Sequence, residues 1–135
     1  MARRLPEWLR AWLPVALYLT LIFILSHQRL GRPGFMAFTH ADKVAHAVEY
    51  AALCALLFRA LRHGRRAWLV RWAPLLAIVL ASLYGVLDEW HQSFVGRDAD
   101  VADWLADTLG AGLAMAALLV IAARRPRPLD EAPPD

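Results

Sequence analysis

The sequence predicts an all-α integral membrane protein, a four-helix bundle that crosses the bilayer four times with both termini in the cytoplasm. Of its 135 residues 59% are hydrophobic, whereas a soluble domain of this size is nearer half apolar. The mean hydropathy is correspondingly positive, at +0.39. Six tryptophans are present, and most stand at the ends of apolar runs, where interfacial aromatic belts are expected. The alternative is an ordinary tryptophan-rich helical core of a soluble protein.

Four apolar runs of 16 to 23 residues account for the predicted helices: Ala11–Ser26, Val44–Leu61, Trp72–Leu87 and Val101–Ala123. At about 1.5 Å per residue, each makes roughly 24–35 Å of helix, enough to cross the hydrocarbon core. The first run lacks a small-x-small cleavage site, which favours a retained span over a signal peptide. We predict a cytoplasmic N-terminus at residues 1–10, a membrane domain at 11–123 and a disordered cytoplasmic tail at 124–135.

The basic residues set the expected orientation. Of the 15 lysines and arginines, 11 precede the first run, lie at the end of the second run or between it and the third, or follow the fourth. The positive-inside rule places these three patches in the cytoplasm, as in a multi-pass protein of the cytoplasmic membrane. The loops at residues 28–42 and 91–100 then face outward. Because topology accounts for the basic excess, the pI of about 9.6 calls for no nucleic-acid partner.

Ionisable residues within and beside the apolar runs are the strongest functional signal. On the second run, four polar side chains line one helical face: Asp42, His46, Glu49 and Tyr50. A charge within a span is costly, so it usually faces a protein interior or a wet cavity. Asp42 is either a helix N-cap or a site residue, and His46 with Glu49 is either a buried pair or part of a site. Lys43, at the boundary, either snorkels to the interface or joins the same group.

The third run ends in a second polar group. Asp88 and Gln92 share a face there, and Glu89 flanks them. Tyr84 lies one turn earlier, beside Gly85, whose small size lets another helix backbone approach.

The fourth run opens with a third group. Asp103 and Asp107 share a face, continued by Gly110 and Ala114, and this strip of small residues predicts tight packing against another span. Asp103 also suits a simple complement to the helix dipole, whereas Asp107 lies a full turn deeper.

Arg97 follows the third run on the expected outward side. It either binds a phosphate or carboxylate in bidentate fashion or pairs with Asp98 or Asp100. Because the three polar groups fall at the outward ends of three predicted helices, we expect them to share one outward-facing pocket.

Four patterns carry a resemblance: Asp42-Lys43-x-x-His46-x-x-Glu49-Tyr50, Tyr84-Gly85-x-x-Asp88-Glu89-x-x-Gln92, Gly96-Arg97 and Asp103-x-x-x-Asp107-x-x-Gly110. Their order and spacing resemble the VanZ-like family, small bacterial membrane proteins named for a teicoplanin-resistance determinant. The resemblance covers about Ser26 to Gly112. One departure concerns Asp107, where the family usually has asparagine. The added negative charge is expected to change metal affinity or neighbouring pKa values.

By analogy, the resemblance implies a membrane enzyme that acts on lipid or lipid-linked cell-envelope headgroups, through phosphodiester transfer or hydrolysis. The residue chemistry permits this: His46 would serve as general base or nucleophile, oriented by Glu49. Arg97 and Lys43 would hold a phosphate. The candidate substrate-binding set is completed by Asp42, Tyr50, Tyr84 and Asp107.

A divalent cation such as Mg²⁺ or Mn²⁺ is a conceivable cofactor, held by the oxygen ligands of Asp88, Glu89 and Asp103. Together with Gln92, these residues complete the candidate catalytic set. The expected partner is a membrane lipid or a lipid-linked precursor, and the sequence does not specify an oligomeric state.

Two other functions compete with the enzyme. The pocket would bind and shield a cell-wall precursor, or a glycopeptide antibiotic at the membrane surface, without chemistry. A proton or ion pathway is the weaker rival, since the first run carries no charge between Ala11 and Ser26 and nothing ionisable follows Asp107 as far as Ala123.

Overall fold

The computed structural model describes residues 5–27, 41–95 and 99–124, and this part of the chain forms four α-helices without a strand. They are α1 (Glu7–His27), α2 (Ala41–Arg62), α3 (Ala67–Phe94) and α4 (Val101–Arg124). Each is long and apolar enough to cross a membrane, which confirms the predicted fold class. The side on which the termini lie stays a prediction, and Arg97 and residues 125–135 of the expected tail lie outside the described ranges.

Helix α3 extends beyond its predicted run at both ends. It covers 28 residues, or about 42 Å at 1.5 Å per residue, more than the hydrocarbon core requires. Its start follows a tight turn in which the Gly64 amide donates to the Leu61 carbonyl at 3.1 Å. Its last two turns contain Asp88, Glu89 and Gln92, so these side chains are fixed on a rigid helix rather than on a loop.

The helices run up and down, with α2 and α3 in the middle of the bundle. Helix α1 packs against α2 and α3 on one side, and α4 packs against the same two helices on the other. At one end of the bundle the C-terminal end of α1 meets the C-terminal end of α3, since His27 contacts His91. At the same end the start of α2 meets the start of α4, through Lys43 and Asp103. The arginine-rich α2–α3 turn therefore lies at the opposite end.

Small residues mediate the packing inside the bundle. Helix α3 buries Ala73, Ala77, Ala81 and Gly85, spaced four residues apart, so a single stripe faces the other helices. Large apolar side chains point outward instead, as with Leu113, which is 71% exposed in the isolated chain. Close helix packing through small residues, with leucines facing outward, is typical of membrane bundles.

A proline in α1 is compensated by an arginine from α2. Pro14 has no N–H, so the Arg10 carbonyl lacks its usual intrahelical donor. The Arg59 guanidinium fills the gap, since its Nη2 donates to the Arg10 carbonyl at 3.4 Å and the Ala11 carbonyl at 3.1 Å. One residue of the middle basic patch thus joins α1 to α2 as well as adding charge.

The closest helix approach joins α2 to α4 at Gly110. A Cβ built on this glycine would overlap the Ala47 carbonyl oxygen and lie 2.7 Å from the Ala47 Cα. The tight packing predicted for the small-residue strip is confirmed here, and its partner is the backbone of α2.

Gly110→Ala is expected to destabilise the protein, because the added methyl forces α2 and α4 apart. Overpacking of this kind costs about 1–3 kcal/mol. Gly112→Ala is the matched control, since a Cβ there meets nothing within 4 Å. Thermal unfolding of the two variants in the same detergent checks the prediction, and equal melting temperatures would contradict it.

Candidate functional site

The polar groups of α2, α3 and α4 meet at one end of the bundle. Six of the predicted site residues are buried, with at most 8% of their surface exposed: Tyr50, Asp88, Glu89, Gln92, Asp103 and Asp107. A buried charge must be paired or hydrogen-bonded to be tolerated. The contacts between these side chains therefore define the site.

Lys43 lies among the carboxylates that begin α2 and α4. Its Nζ forms ion pairs with Asp103 Oδ1 and with Asp100 Oδ2, the second at 2.6 Å. Asp42 Oδ2 is more distant, at 3.9 Å. A phosphate bound by Lys43, as the sequence predicts, would have to compete with these carboxylates. The sequence also allowed Asp103 to act only as a complement to the helix dipole. In the structure its carboxylate forms an ion pair between α4 and Lys43 of α2.

Asp100 joins the start of α4 to α3. Its Oδ1 accepts from the Ala102 amide at 2.8 Å, and its own amide donates to Glu89 Oε2 at 2.7 Å. The hydrogen bond from Lys43 holds the pKa of the Asp100 carboxyl below its ordinary value. Sequence reasoning named Asp100 only as an alternative partner of Arg97. An aspartate just before a predicted helix indicates a helix cap. It does not indicate that the Asp100 amide bonds to Glu89.

His46 on α2 is hydrogen-bonded to Asp107 on α4. The His46 Nδ1 to Asp107 Oδ1 distance is 3.0 Å, and His46 Nε2 lies 3.8 Å from Asp103 Oδ2. The Asp107 side chain is fully buried and the His46 side chain is 12% exposed. When Asp107 is ionised, this bond places a proton on Nδ1 and leaves Nε2 as the basic nitrogen of a neutral imidazole. A carboxylate partner of His46 thus comes from a different helix.

Gly85 on α3 makes room for the Asp107 carboxylate. A Cβ at this position would lie 2.9 Å from Asp107 Oδ2 and 3.3 Å from Trp104 Cδ1. The sequence predicted that Gly85 admits another helix backbone, whereas the group that comes closest is the side chain of a site residue. Trp104 is itself anchored to α3, since its Nε1 donates to the Ser82 carbonyl at 3.2 Å.

Asp88 and Gln92 share a face of α3, as predicted. Gln92 Nε2 donates to Asp88 Oδ2 at 2.8 Å. The two predicted tyrosines lie close to each other, with ring centroids 6.4 Å apart. Tyr84 donates its hydroxyl to the Leu19 carbonyl of α1 at 2.9 Å. The Tyr50 hydroxyl is buried and has no hydrogen-bond partner among the described residues.

Glu49 is partly buried on α2, and its main-chain carbonyl accepts from the Tyr18 hydroxyl at 3.1 Å. Its predicted orientation of His46 stays a prediction. Asp42 lies in the first turn of α2, one residue after the helix begins. Arg97 cannot be placed, because it falls between the described ranges.

A histidine pair at the same end was not foreseen. His27 Nδ1 and His91 Nε2 lie 3.4 Å apart, and the Phe23 ring packs against the His91 ring in a tilted arrangement with centroids 4.6 Å apart. The motifs gave His91 no role. The signal available in the sequence was its position, since His27 and His91 each end a span on the same expected side.

The structure brings together one group of side chains with the geometry of a metal site. His46, Glu89 and Asp107 each offer a ligand atom, and these atoms all lie within 4.8 Å of one another. The sequence proposed Asp88, Glu89 and Asp103 for this role. Glu89 is common to both sets.

The sequence model of the VanZ/LLP1 family matches residues 7–122, which include all four helices almost completely. The chain therefore belongs to this family, as its motifs indicated. No curated protein and no solved structure shows a significant match to the chain.

Lys43→Met is expected to destabilise the fold, because it leaves Asp100 and Asp103 close together without their cation. Removing one partner of a buried pair costs about 3–5 kcal/mol, and the partial exposure of this pair favours the lower value. Thermal unfolding should show a large loss for Lys43→Met and little change for Arg65→Met, at the exposed opposite end.

The double variant Lys43→Met/Asp103→Asn separates the ion pair from the loss of the side chain. It should be more stable than Lys43→Met alone, since the uncompensated charge is also removed. A double variant less stable than the single one would show that the ion pair is not the source of the stabilisation.

Proposed function

We propose that this VanZ/LLP1 family member is an enzyme of the bacterial inner membrane that transfers or hydrolyses the headgroup phosphodiester of a lipid or lipid-linked precursor. The observation that carries the proposal is the buried cluster of acid, base and cation at one end of four membrane-spanning helices. Ionisable groups at such depth are expensive and usually functional. A site at this level reaches the headgroups of lipids in the same bilayer.

An apolar groove beside the cluster supports a lipid substrate. The groove has a volume of about 520 Å³ and lies between α1, α2 and α3, where its walls include Leu19, Leu57, Leu83, Tyr84 and Leu87. Its wall includes Tyr84, which lies one helical turn before the buried Asp88 on the same side of α3. A hydrocarbon chain lying in this groove would leave its headgroup beside the polar cluster, with Tyr84 between the two regions.

His46 is the proposed general base or nucleophile. Its bond to Asp107 fixes the ring and leaves Nε2 as the nitrogen that can accept a proton, as a general base requires. This carboxylate–imidazole arrangement stabilises the imidazolium that forms when the base accepts a proton.

The other candidates have supporting roles in the proposal. Asp88 and Gln92 present a hydrogen-bonded pair of polar groups, and Glu49 and Tyr50 flank them on α2. Arg97 remains the proposed phosphate ligand, because Lys43 is already engaged by two carboxylates.

Replacing the base should abolish the change in lipids that the protein causes. Membranes containing equal amounts of wild type, His46→Gln or His63→Gln are compared by lipid mass spectrometry. His63 is the matched control, since it lies in the turn after α2 at the opposite end, and its side chain bonds only to the Arg59 carbonyl among the described residues. We expect a headgroup species to change with wild type and His63→Gln but not with His46→Gln. Loss of the general base should slow the reaction in His46→Gln by at least about 100-fold.

The competing binding function gives a different outcome. Identical lipid profiles for all three proteins, each folded in the membrane, would contradict the enzyme. Graded loss of affinity for a cell-wall precursor or glycopeptide antibiotic across the cluster variants would then favour recognition without chemistry.

The proposal also requires the polar cluster to face outward. The only native cysteine, Cys54, is fully buried, so an introduced cysteine is the accessible one. Ser93→Cys, near the end of α3, should react with a membrane-impermeant maleimide in intact cells. His63→Cys should react only after lysis, and the reverse pattern would invert the proposed topology.

A further inference from the structure

We propose that His46, Glu89 and Asp107 form a binding site for one divalent transition-metal ion, such as Mn²⁺ or Zn²⁺. The three residues come from α2, α3 and α4, and their ligand atoms lie within 4.8 Å of one another. An ion bound at about 2.0–2.2 Å keeps opposite ligand atoms within roughly 4.4 Å. The side chains therefore need at most a small contraction around an ion.

The spacing of His46 and Asp107 suits either a proton or a metal ion between them. Their closest ligand atoms, Nδ1 and Oδ1, are 3.0 Å apart. Adjacent ligands of one ion are roughly 2.8–3.5 Å apart when each bond is about 2.0–2.2 Å. A cation can take the place of the shared proton without moving either helix.

Two carboxylate oxygens at this place have no partner. Glu89 Oε1 and Asp107 Oδ2 are buried and accept no hydrogen bond from the described residues. Glu89 is 92% buried and Asp107 completely so, which means that water does not solvate these oxygens freely. A desolvated carboxylate oxygen without a partner is costly, and a bound cation removes that cost.

The other oxygen of each carboxylate makes a hydrogen bond that holds the side chain in position. Glu89 Oε2 accepts from the Asp100 amide, and Asp107 Oδ1 is bonded to His46. Asp100 is in turn paired with Lys43. Hydrogen bonds that orient ligands in this way are characteristic of metal sites and contribute to their affinity.

The charge of the cluster favours a cation. Among the described residues, four carboxylates are buried at this end, those of Asp88, Glu89, Asp103 and Asp107. The cations that face them are Lys43 and, when protonated, His46. Excess negative charge in a region of low dielectric constant must be neutralised by protons or cations. A divalent ion balances two of the carboxylates at once.

The ligand types indicate which ion is preferred. One imidazole nitrogen with two carboxylates suits Mn²⁺, Fe²⁺ or Zn²⁺, whereas Mg²⁺ prefers oxygen ligands alone. The set predicted from the sequence was all oxygen, but there Asp88 Oδ2 is bonded to Gln92 and Asp103 Oδ1 to Lys43. The structure therefore points to a different set and to a softer ion.

The inference concerns binding alone and does not depend on what the site acts upon. An ion at this place would polarise a phosphate oxygen or a bound water. With Nδ1 on the ion, the neutral His46 ring carries its proton on Nε2, so the metal-bound enzyme would use the ion rather than His46 as its activating group. The ion would equally stabilise a pocket that only recognises a ligand.

The histidine pair at the end of α1 and α3 is the competing site. His27 and His91 place two ring nitrogens 3.4 Å apart, which is also compatible with Zn²⁺ ligation. Any binding experiment must therefore separate the two places.

The test measures metal bound to the full chain, purified in detergent and stripped with chelator. Wild type is titrated with Zn²⁺, Mn²⁺ and Mg²⁺, and bound metal is counted by mass spectrometry after dialysis. We expect one Zn²⁺ or Mn²⁺ per chain and weaker binding of Mg²⁺. Glu89→Gln and Asp107→Asn preserve side-chain shape and should each weaken binding by at least about tenfold. His91→Gln should retain wild-type affinity.

A spectroscopic measurement on wild type covers the case in which the ligand variants fail to fold. The electron spin-echo spectrum of bound Mn²⁺ should show coupling to nitrogen of a single imidazole, that of His46. Absence of binding by wild type would overturn the proposal. So would coupling to two imidazoles, full affinity in folded Glu89→Gln and Asp107→Asn, or loss of binding in His91→Gln.

Discussion

The close approach of α2 and α4 is the constraint on which the site depends. Gly110 has no side chain, so the backbone of α4 contacts Ala47 directly. One residue before Ala47 stands His46, and three residues before Gly110 stands Asp107, so the same contact brings the imidazole to the carboxylate at 3.0 Å. The Lys43–Asp103 ion pair lies one turn nearer the helix starts. Helix packing and site chemistry are therefore not separable at this interface, and a change that widens it weakens both.

Burial then determines how the charges are arranged. At this end of the bundle Lys43 of α2 pairs with Asp103 of α4, and Glu89 of α3 accepts from the Asp100 amide just before α4. Such pairs recover much of the cost of desolvation but rarely exceed it. They do fix the relative height and rotation of the helices, because the bonds form in only one register. The network is thus better understood as specifying a geometry than as a source of net stability.

Much of this was accessible from the sequence, and the reason for the remainder is physical. Apolar runs and basic patches determine the spans, and charges at the run ends identify which residues cluster. Spacing along one helix shows which side chains share a face, as with Asp88 and Gln92. It does not show which residues of another helix they meet, since that depends on the rotation and height of both. The pairing of His46 with Asp107 on another helix, rather than only with its near neighbour Glu49, is set by the Gly110 contact, 64 positions from His46 along the chain.

The carboxyl group of Asp107 constrains the chemistry of the site. An amide there would accept a hydrogen bond from His46 without bringing a charge. A carboxylate at the same place is fully buried, and one of its oxygens accepts no hydrogen bond among the described residues. It is tolerable if the His46 Nδ1–H donates to it or if a cation is bound there. Both would use the same lone pairs, so they exclude one another. Proton and metal ion would thus compete for one place, and the cation would hold it more firmly as the pH rises, because its ligands must be deprotonated.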